Sequence, residues 1–477
     1  MLELEGFMSS YFHQNRIAAI RSALVEAIKG TQQDYTAMAL KRAIFLLAVP
    51  MVLEMVMESI FALVDVYFVS RLGAEAVATV GLTESILTLI YAVASGLAVA
   101  TAATVARRIG EKDYSRASNA AVQAIIVAFT IGLIIAIPGA LFSSKILSLM
   151  GAESRIVDEF YPYMTIMLGG NAIIMLLFVI NAVFRSSGDA AIAMRVLWFA
   201  NIVNCILDPV LIFGLGPFPE LGIKGAAIAT NTGRGLAVIY QLYLLTKGNG
   251  RVRIKRENLK PDFKVMLGII RISLGGIGQS MIATSSWIGM VRIIAAFGSE
   301  VLAGYTIAIR ILVFSMLPSW GLSNASATLV GQNLGAGQPD NAEKAVWVAG
   351  IINIVVLGLV AIAFISLPDW FVKFFDRTDS VVKNGSVCLR VISYGLISYA
   401  MGMVLVQAFN GAGDTKTPTW INLFCFWLLE IPLAYVLAIP LSFDEQGVYY
   451  AIVVADTCMT LAGLYLFRKG KWKLKQV

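Results

Sequence analysis

Acidic side chains stand inside apolar stretches of this sequence, and that placement is where its chemistry must be sought. Glu54, Glu58 and Asp65 fall in the run 43–70, Glu84 in the run 77–106, and Asp208 in the run 191–214, four residues after Asn204. An acid at the centre of a membrane helix costs about 2.5–3.5 kcal/mol on insertion scales, so such residues face protein or water and usually serve function. At roughly 100° per helical residue, Glu54, Glu58 and Asp65 project within about 40° of one another, a single narrow stripe. Pro50, one turn before Glu54, predicts a bend there. Asn204 and Asp208 share a helix face by their spacing, and Thr230 and Asn231 lie in the run 222–246. The first, second and fifth runs have no Lys or Arg near their acids; Arg71 and Arg107 lie at the ends. Acids lacking basic partners call for protonation or for a cation held among them. Asp65 and Asp208 are therefore candidate cation or proton sites. Glu54, Glu58 and Glu84 are a candidate proton relay, or else neutral packing groups. The second half is poorer: Glu430, two residues before Pro432, and Asp456 are its candidate acids, while the runs 264–297 and 383–410 carry Gln279 and Gln407 instead. The one histidine, His13, lies outside the runs, and Cys205, Cys388, Cys425 and Cys458 show neither disulfide nor zinc spacing. No metal site beyond one for sodium is expected, and no cofactor.

What must position these groups is a set of membrane spans. Of 477 residues, 58% are hydrophobic and 14% charged, whereas a soluble domain needs about a quarter charged. Apolar runs fall at 43–70, 77–106, 118–142, 157–184, 191–214 and 222–246, then at 264–297, 301–331, 343–367, 383–410, 416–440 and 446–468. Each is long enough to cross a bilayer, which takes about 20 residues. The fold class expected is an all-α polytopic membrane protein of twelve helices. A net charge of +7 could suggest nucleic acid, but the basic residues cluster between spans. Lys247, Arg251, Arg253, Lys255, Arg256, Lys260 and Lys264 mark one loop as cytoplasmic; Arg107, Arg108, Lys112 and Arg116 mark another, and Lys469, Lys471, Lys473 and Lys475 the C-terminus. The segments expected are 1–40, with a surface-lying amphipathic stretch from Ile17 to Ile28; a first lobe, 41–246; a basic linker, 247–263; a second lobe, 264–468; and a basic tail, 469–477.

The chain repeats itself. Arg108-Ile-Gly110 matches Asn333-Leu-Gly335, Arg185-Ser-Ser-Gly188-Asp189 matches Asn410-Gly-Ala-Gly413-Asp414, and Gly222–Thr232 matches Gly447–Thr457, always at a shift of 225 (335 − 110, 414 − 189, 447 − 222). Two tandem halves of six spans each enter the membrane from the same side, as parallel repeats. Gly275, Gly276 and Gly278 suit close helix packing. Trp287, Met290, Met316 and Trp320 are packing residues or a cavity lining, and Arg185, Asp189 and Asp414 are read as cytoplasmic-loop anchors.

The stretch Leu63-Val-Asp65-Val-Tyr-Phe-Val-Ser-Arg-Leu-Gly73 resembles the first-span signature of the multidrug and toxic compound extrusion (MATE) family. So do Ala106-Arg-Arg-Ile-Gly110, Arg185-Ser-Ser-Gly-Asp189, Asn204 through Asp208-Pro209, Gly225-Ala-Ala-Ile-Ala-Thr230 and the Gly-Gln-Asn-Leu-Gly stretch 331–335. The resemblance implies a V-shaped pair of six-helix bundles that exports small organic compounds in exchange for protons or sodium. It also implies a first-lobe cation site of Asp65, Asn204, Asp208 and Thr230. A second-lobe ion site, which in some members uses acids of the seventh and tenth helices, is not expected. The expected partners are a small, amphipathic, cationic organic substrate and membrane lipid, with no nucleic acid, in a monomer of the inner (plasma) membrane with both termini cytoplasmic. The rival readings are a lipid-linked oligosaccharide flippase, for which Arg292 and Arg310 are the basic candidates, and an intramembrane enzyme, for which no catalytic constellation stands in the sequence.

Overall fold

A computed structural model describes residues 21–30 and 33–476, all helix and connecting loop, with no strand among the described residues. Twelve spans follow in order: α1 (Leu40–Ser70), α2 (Ala74–Gly110), α3 (Tyr114–Leu141), α4 (Ser154–Ser187), α5 (Ala190–Phe213), α6 (Ile223–Lys247), α7 (Phe263–Ile294), α8 (Ser299–Gly335), α9 (Pro339–Ser366), α10 (Asp379–Ser393 with Leu396–Gly411), α11 (Lys416–Ala438) and α12 (Asp444–Arg468). Ten are long and apolar enough to cross a membrane as single helices, and α10 makes eleven as a pair bent by 56°. The remaining one, α6, is diluted by Thr230, Asn231, Thr232, Arg234 and Gln241. Its length matches its neighbours; Thr230 and Gln241 are buried and Asn231 and Arg234 half-buried, while Thr232 is exposed. Starts are written locally: Asp113 caps α3 by accepting from Arg116 N, and Asp262 caps α7 by accepting from Lys264 N and Val265 N. In α11, residues Leu423–Glu430 wind as a π-helix, an irregularity that often marks functional ground.

The helices α1–α6 and α7–α12 form two lobes, each with its own core, the first of which also takes in Ile269 of α7. One core joins Leu87, Leu97, Met164, Met175 and Ile212 in the first lobe; another joins Met290, Tyr305, Leu357, Leu389 and Tyr449 in the second. A third apolar cluster crosses between lobes, combining Ile44, Leu47 and Met51 of α1 with Leu329 of α8, Val346 of α9 and Phe409 of α10. The duplication is visible in the way the lobes meet. A Cβ on Gly110 would lie 1.9 Å from the Gln332 carbonyl oxygen, and one on Gly335 would lie 2.1 Å from the Arg107 carbonyl oxygen. Both pairings invert under the 225-residue shift (335 − 110, 332 − 107). Residue i of one lobe touches j of the other and its repeat mate does the reverse, the signature of a two-fold axis. Gly96 against Gly276 and Met51 against Gly321 repeat the pattern. Only glycine permits this backbone approach.

These contacts lie in the halves of α1, α2, α7 and α8 nearest the basic segments, here called the basic end. Towards the opposite end α1 is uncovered: Leu63, Val66 and Tyr67 are 55%, 57% and 52% exposed. The lobes are joined at the basic end and splayed at the other, the V expected from the family resemblance. Near the start of the described chain, residues 21–29 are helical; Ala27 is buried while Leu24 and Val25 remain exposed. Ile17–Ile20 of the expected surface helix lie outside the described residues, as does His13 before it.

Candidate functional site

In the first lobe, α5 turns Asn204 and Asp208 inward, and α6 brings Thr230 against them. Asp208 is fully buried, Asn204 and Thr230 nearly so. With its amide oriented to satisfy both neighbours, Asn204 donates to Asp208 Oδ2 at 2.9 Å and accepts from Thr230 Oγ1 at 3.1 Å and Thr230 N at 2.9 Å. Asn204 is thus the hinge of the triad, holding a carboxylate on one side and a hydroxyl on the other. The one side-chain donor described for Asp208 is Asn204. Asp65 of α1 stands close enough for its charge to be felt at Asp208. The structure therefore joins Asn204, Asp208 and Thr230 in one hydrogen-bonded set, with Asp65 within electrostatic reach of it. A carboxylate, an amide and a hydroxyl around a second carboxylate form an oxygen-rich set suited to a proton or a small hard cation.

The structure corrects the expectation that the acids have no basic partners. Arg234 of α6 lies among them: it donates to Tyr91 Oη at 3.5 Å and its charge reaches Glu58, Asp65 and Glu84. Arg185, read from sequence as a loop anchor, is in fact near the C-terminal end of α4, where its Nη1 donates to Glu54 Oε1 at 2.8 Å. Glu54 is 2% exposed, and its second oxygen has no partner. The stripe of acids on α1 is therefore three different environments. Glu54 is locked to α4, Glu58 accepts from Asn201 of α5 at 3.4 Å, and Asp65 looks towards Asp208 and Arg234. Glu84 is exposed on α2. Tyr163 of α4, buried, and Tyr91, stacked on Phe178 at 5.9 Å, complete the walls near Arg234. Arg234 is not legible from the acids' own helices, because it stands on α6. The signal was present: a lone arginine four residues after Thr230, within a span that has no acid of its own.

The second lobe differs. Gln279 of α7 donates to Asn410 Oδ1 and to the Thr415 carbonyl, both at 3.1 Å, and Asn410 donates to Gln407 Oε1 at 3.1 Å. An uncharged amide network fills this region. Glu430, at the end of the π-helix, accepts from Ser286 at 2.8 Å, and Asp456 lies near both Glu430 and Tyr399. Trp320 donates to Tyr399 Oη at 3.4 Å. Of the aromatic and methionine candidates, Met290 is core and Trp287 is exposed. Arg292 and Arg310 are exposed. Among the described residues no group of three or more His, Cys, Asp or Glu side chains is placed to hold a metal ion.

Comparison with known proteins places this architecture. The MatE family model matches residues 50–210 and 277–436, two stretches whose starts are 227 and whose ends are 226 residues apart (277 − 50, 436 − 210), close to the internal shift. The chain is 23% identical to the probable multidrug resistance protein NorM of Thermotoga maritima, over 92% of this chain and 94% of that one. It is 26% identical to an FAD transporter of Shewanella oneidensis, over 86% and 90%. Among solved structures, a multidrug resistance MATE family transporter in an outward-facing conformation superposes with a TM-score of 0.86 at 25% identity, covering 92% of this chain and 98% of that one.

Proposed function

The chain belongs to the MatE family, and from that premise we propose that it is a cation-coupled antiporter exporting amphipathic, cationic organic compounds by alternating access between its lobes. The observation that carries this reading is the buried set Asp208–Asn204–Thr230 beside Asp65. A carboxylate without exposure, held by one amide, requires a counter-charge when its neighbour is also acidic. A proton or sodium ion arriving there supplies it. A cationic substrate approaching Asp65, Glu58 or Glu84 competes for the same negative charge, and that competition is what couples one flux to the other.

The lobes are joined at the basic end. With that end cytoplasmic, as the positive-inside rule proposes, the described state opens outward, ready to release substrate and take up the coupling ion. The inner (plasma) membrane, with both termini cytoplasmic, is the matching location. A monomer suffices, since the putting-together of the site draws on one chain. Vesicle transport driven first by a proton gradient alone, then by a sodium gradient alone, tests the reading. Uptake under either gradient supports it and identifies the ion; uptake under neither contradicts it.

A second reading has one observation behind it. Arg234 stands among the acids of the first lobe, and a relative is named as an FAD transporter. An anionic group on the substrate would find its partner there. Competition by phosphate-bearing compounds against a cationic dye separates the two readings.

A further inference from the structure

Beyond α12 the chain does not leave the protein. Gly470, at φ +68°, turns it back, and Lys471–Leu474 form one 3-10 turn. Trp472 is 1% exposed, stacks on Phe467 at 4.7 Å and 12°, and donates to the Phe467 carbonyl at 2.9 Å. Lys473 Nζ lies 2.6 Å from Glu343 and 3.7 Å from Asp340 of α9. Lys475 Nζ lies 3.2 Å from Asp414, an ion pair by distance without an aligned hydrogen bond. All these partners belong to the second lobe. The next contact does not: the backbone carbonyl of Lys475 accepts a hydrogen bond from Arg107 of α2, in the first lobe.

The duplication shows why that contact is unusual. The repeat mate of Arg107 is Gln332 (332 − 107 = 225), and Gln332 donates to the Ser186 carbonyl at the end of α4, in the lobe opposite its own. Symmetry would send Arg107 to residue 411, the mate of Ser186. The tail carbonyl receives it instead. Under the same shift the tail 471–476 falls on 246–251, the end of α6 and the start of the linker (471 − 225, 476 − 225); the linker's own 3-10 turn comes later, at Arg256–Leu259. There Arg251 donates to the Ser187 carbonyl at 3.4 Å, and Gln123 donates to the carbonyls of Asn258 and Lys260 at 3.0 and 2.9 Å. The linker contacts named here stay within the first lobe, whereas the tail reaches across to it from the second.

We propose that residues 471–476 are a strap that holds the lobes together at the basic end, through the Trp472 anchor, the two lysine ion pairs and the Arg107–Lys475 bond, and so favours the described state over the one opened at that end. The inference rests on the alternating-access reading. Opening the basic end separates Arg107 from the tail, so a chain without the strap pays no such cost and populates the opened state more.

The test is pulsed electron-electron distance measurement on the full-length protein in lipid nanodiscs. Spin labels go on Ser115→Cys and Asn341→Cys, exposed positions at the basic end of the two lobes, with Cys205, Cys388, Cys425 and Cys458 replaced. Wild type is measured with and without a cationic substrate and across pH. Truncation after Gly470 is then compared with Arg107→Met, which keeps the tail and its second-lobe anchors while cutting the tail's bond to the first lobe. The strap predicts a rise of about tenfold in the ratio of long-distance to short-distance populations in both variants, and a smaller rise in Lys473→Ala/Lys475→Ala. Unchanged populations in Arg107→Met, with wild type still sampling two distances, overturn the strap alone. A single distance in wild type under every condition overturns alternating access and the strap with it.

Discussion

Arg185 and Glu54, the arginine half-buried and the glutamate fully buried, form an ion pair, 2.8 Å from Nη1 to Oε1, that fastens the middle of α1 to the end of α4. Trp198 of α5 adds a bond to the Leu53 carbonyl at 3.1 Å, one residue away. A carboxylate so held is a structural tie between helices, in contrast to Asp65, which is free of such a clamp.

Arg185→Met is expected to destabilise the protein by about 3 kcal/mol, because it strands the buried Glu54 charge, and Glu54→Gln by less, because Arg185 keeps some access to solvent. The double variant Glu54→Gln/Arg185→Met is expected to recover part of that loss. Thermal unfolding in detergent measures it. If Glu54→Gln leaves stability intact and instead flattens the pH profile of transport, Glu54 is a proton carrier and the tie is secondary.

Thr230→Val removes one hydroxyl from the Asn204–Thr230–Asp208 set while keeping shape. Losing a buried hydrogen bond of this kind costs about 1–3 kcal/mol. We expect the half-saturating concentration of the coupling ion to rise by roughly tenfold or more, with little change in protein yield. An unchanged ion dependence removes Thr230 from the site.

Asp189 sits in the loop between α4 and α5, where burial pushes its carboxyl up to about 6 against the opposing pull of Arg251 and Arg195. The folded protein then holds the proton that the unfolded chain has released, so stability falls as pH rises from the ordinary value of 3.8 to about 6. Asp189→Asn cannot titrate and should show a flatter pH dependence across that window. A melting-temperature profile from pH 4 to pH 8 decides the point; parallel profiles for wild type and variant would refute it.

Much of this was legible in the sequence. The twelve runs, the 225-residue shift and the spacing of Asn204 and Asp208 follow from periodicity and from the cost of charge in lipid, both local properties. The pairings of Arg185 with Glu54 and of Arg234 with three acids were not legible, since they depend on which helices α4 and α6 touch. Helix rotation and packing are set by contacts distant in sequence, and a residue's own span does not reveal them. The tail was read only as a topological marker, because its lysines carry that signal and Trp472 alone hinted at burial.

The sidedness that the functional reading assumes is open to direct labelling. Asn249→Cys, on the linker, should resist an impermeant thiol reagent in intact cells, while Glu153→Cys, exposed at the opposite end, should react. The reverse pattern would invert the direction of transport.

The central claim is that the first-lobe carboxylates Asp65 and Asp208 carry the coupling ion. Reconstituted protein should show substrate flux driven by a cation gradient, and Asp65→Asn and Asp208→Asn should each abolish that flux while preserving expression and monodispersity. Gradient-driven flux in either variant at the wild-type rate would contradict the account.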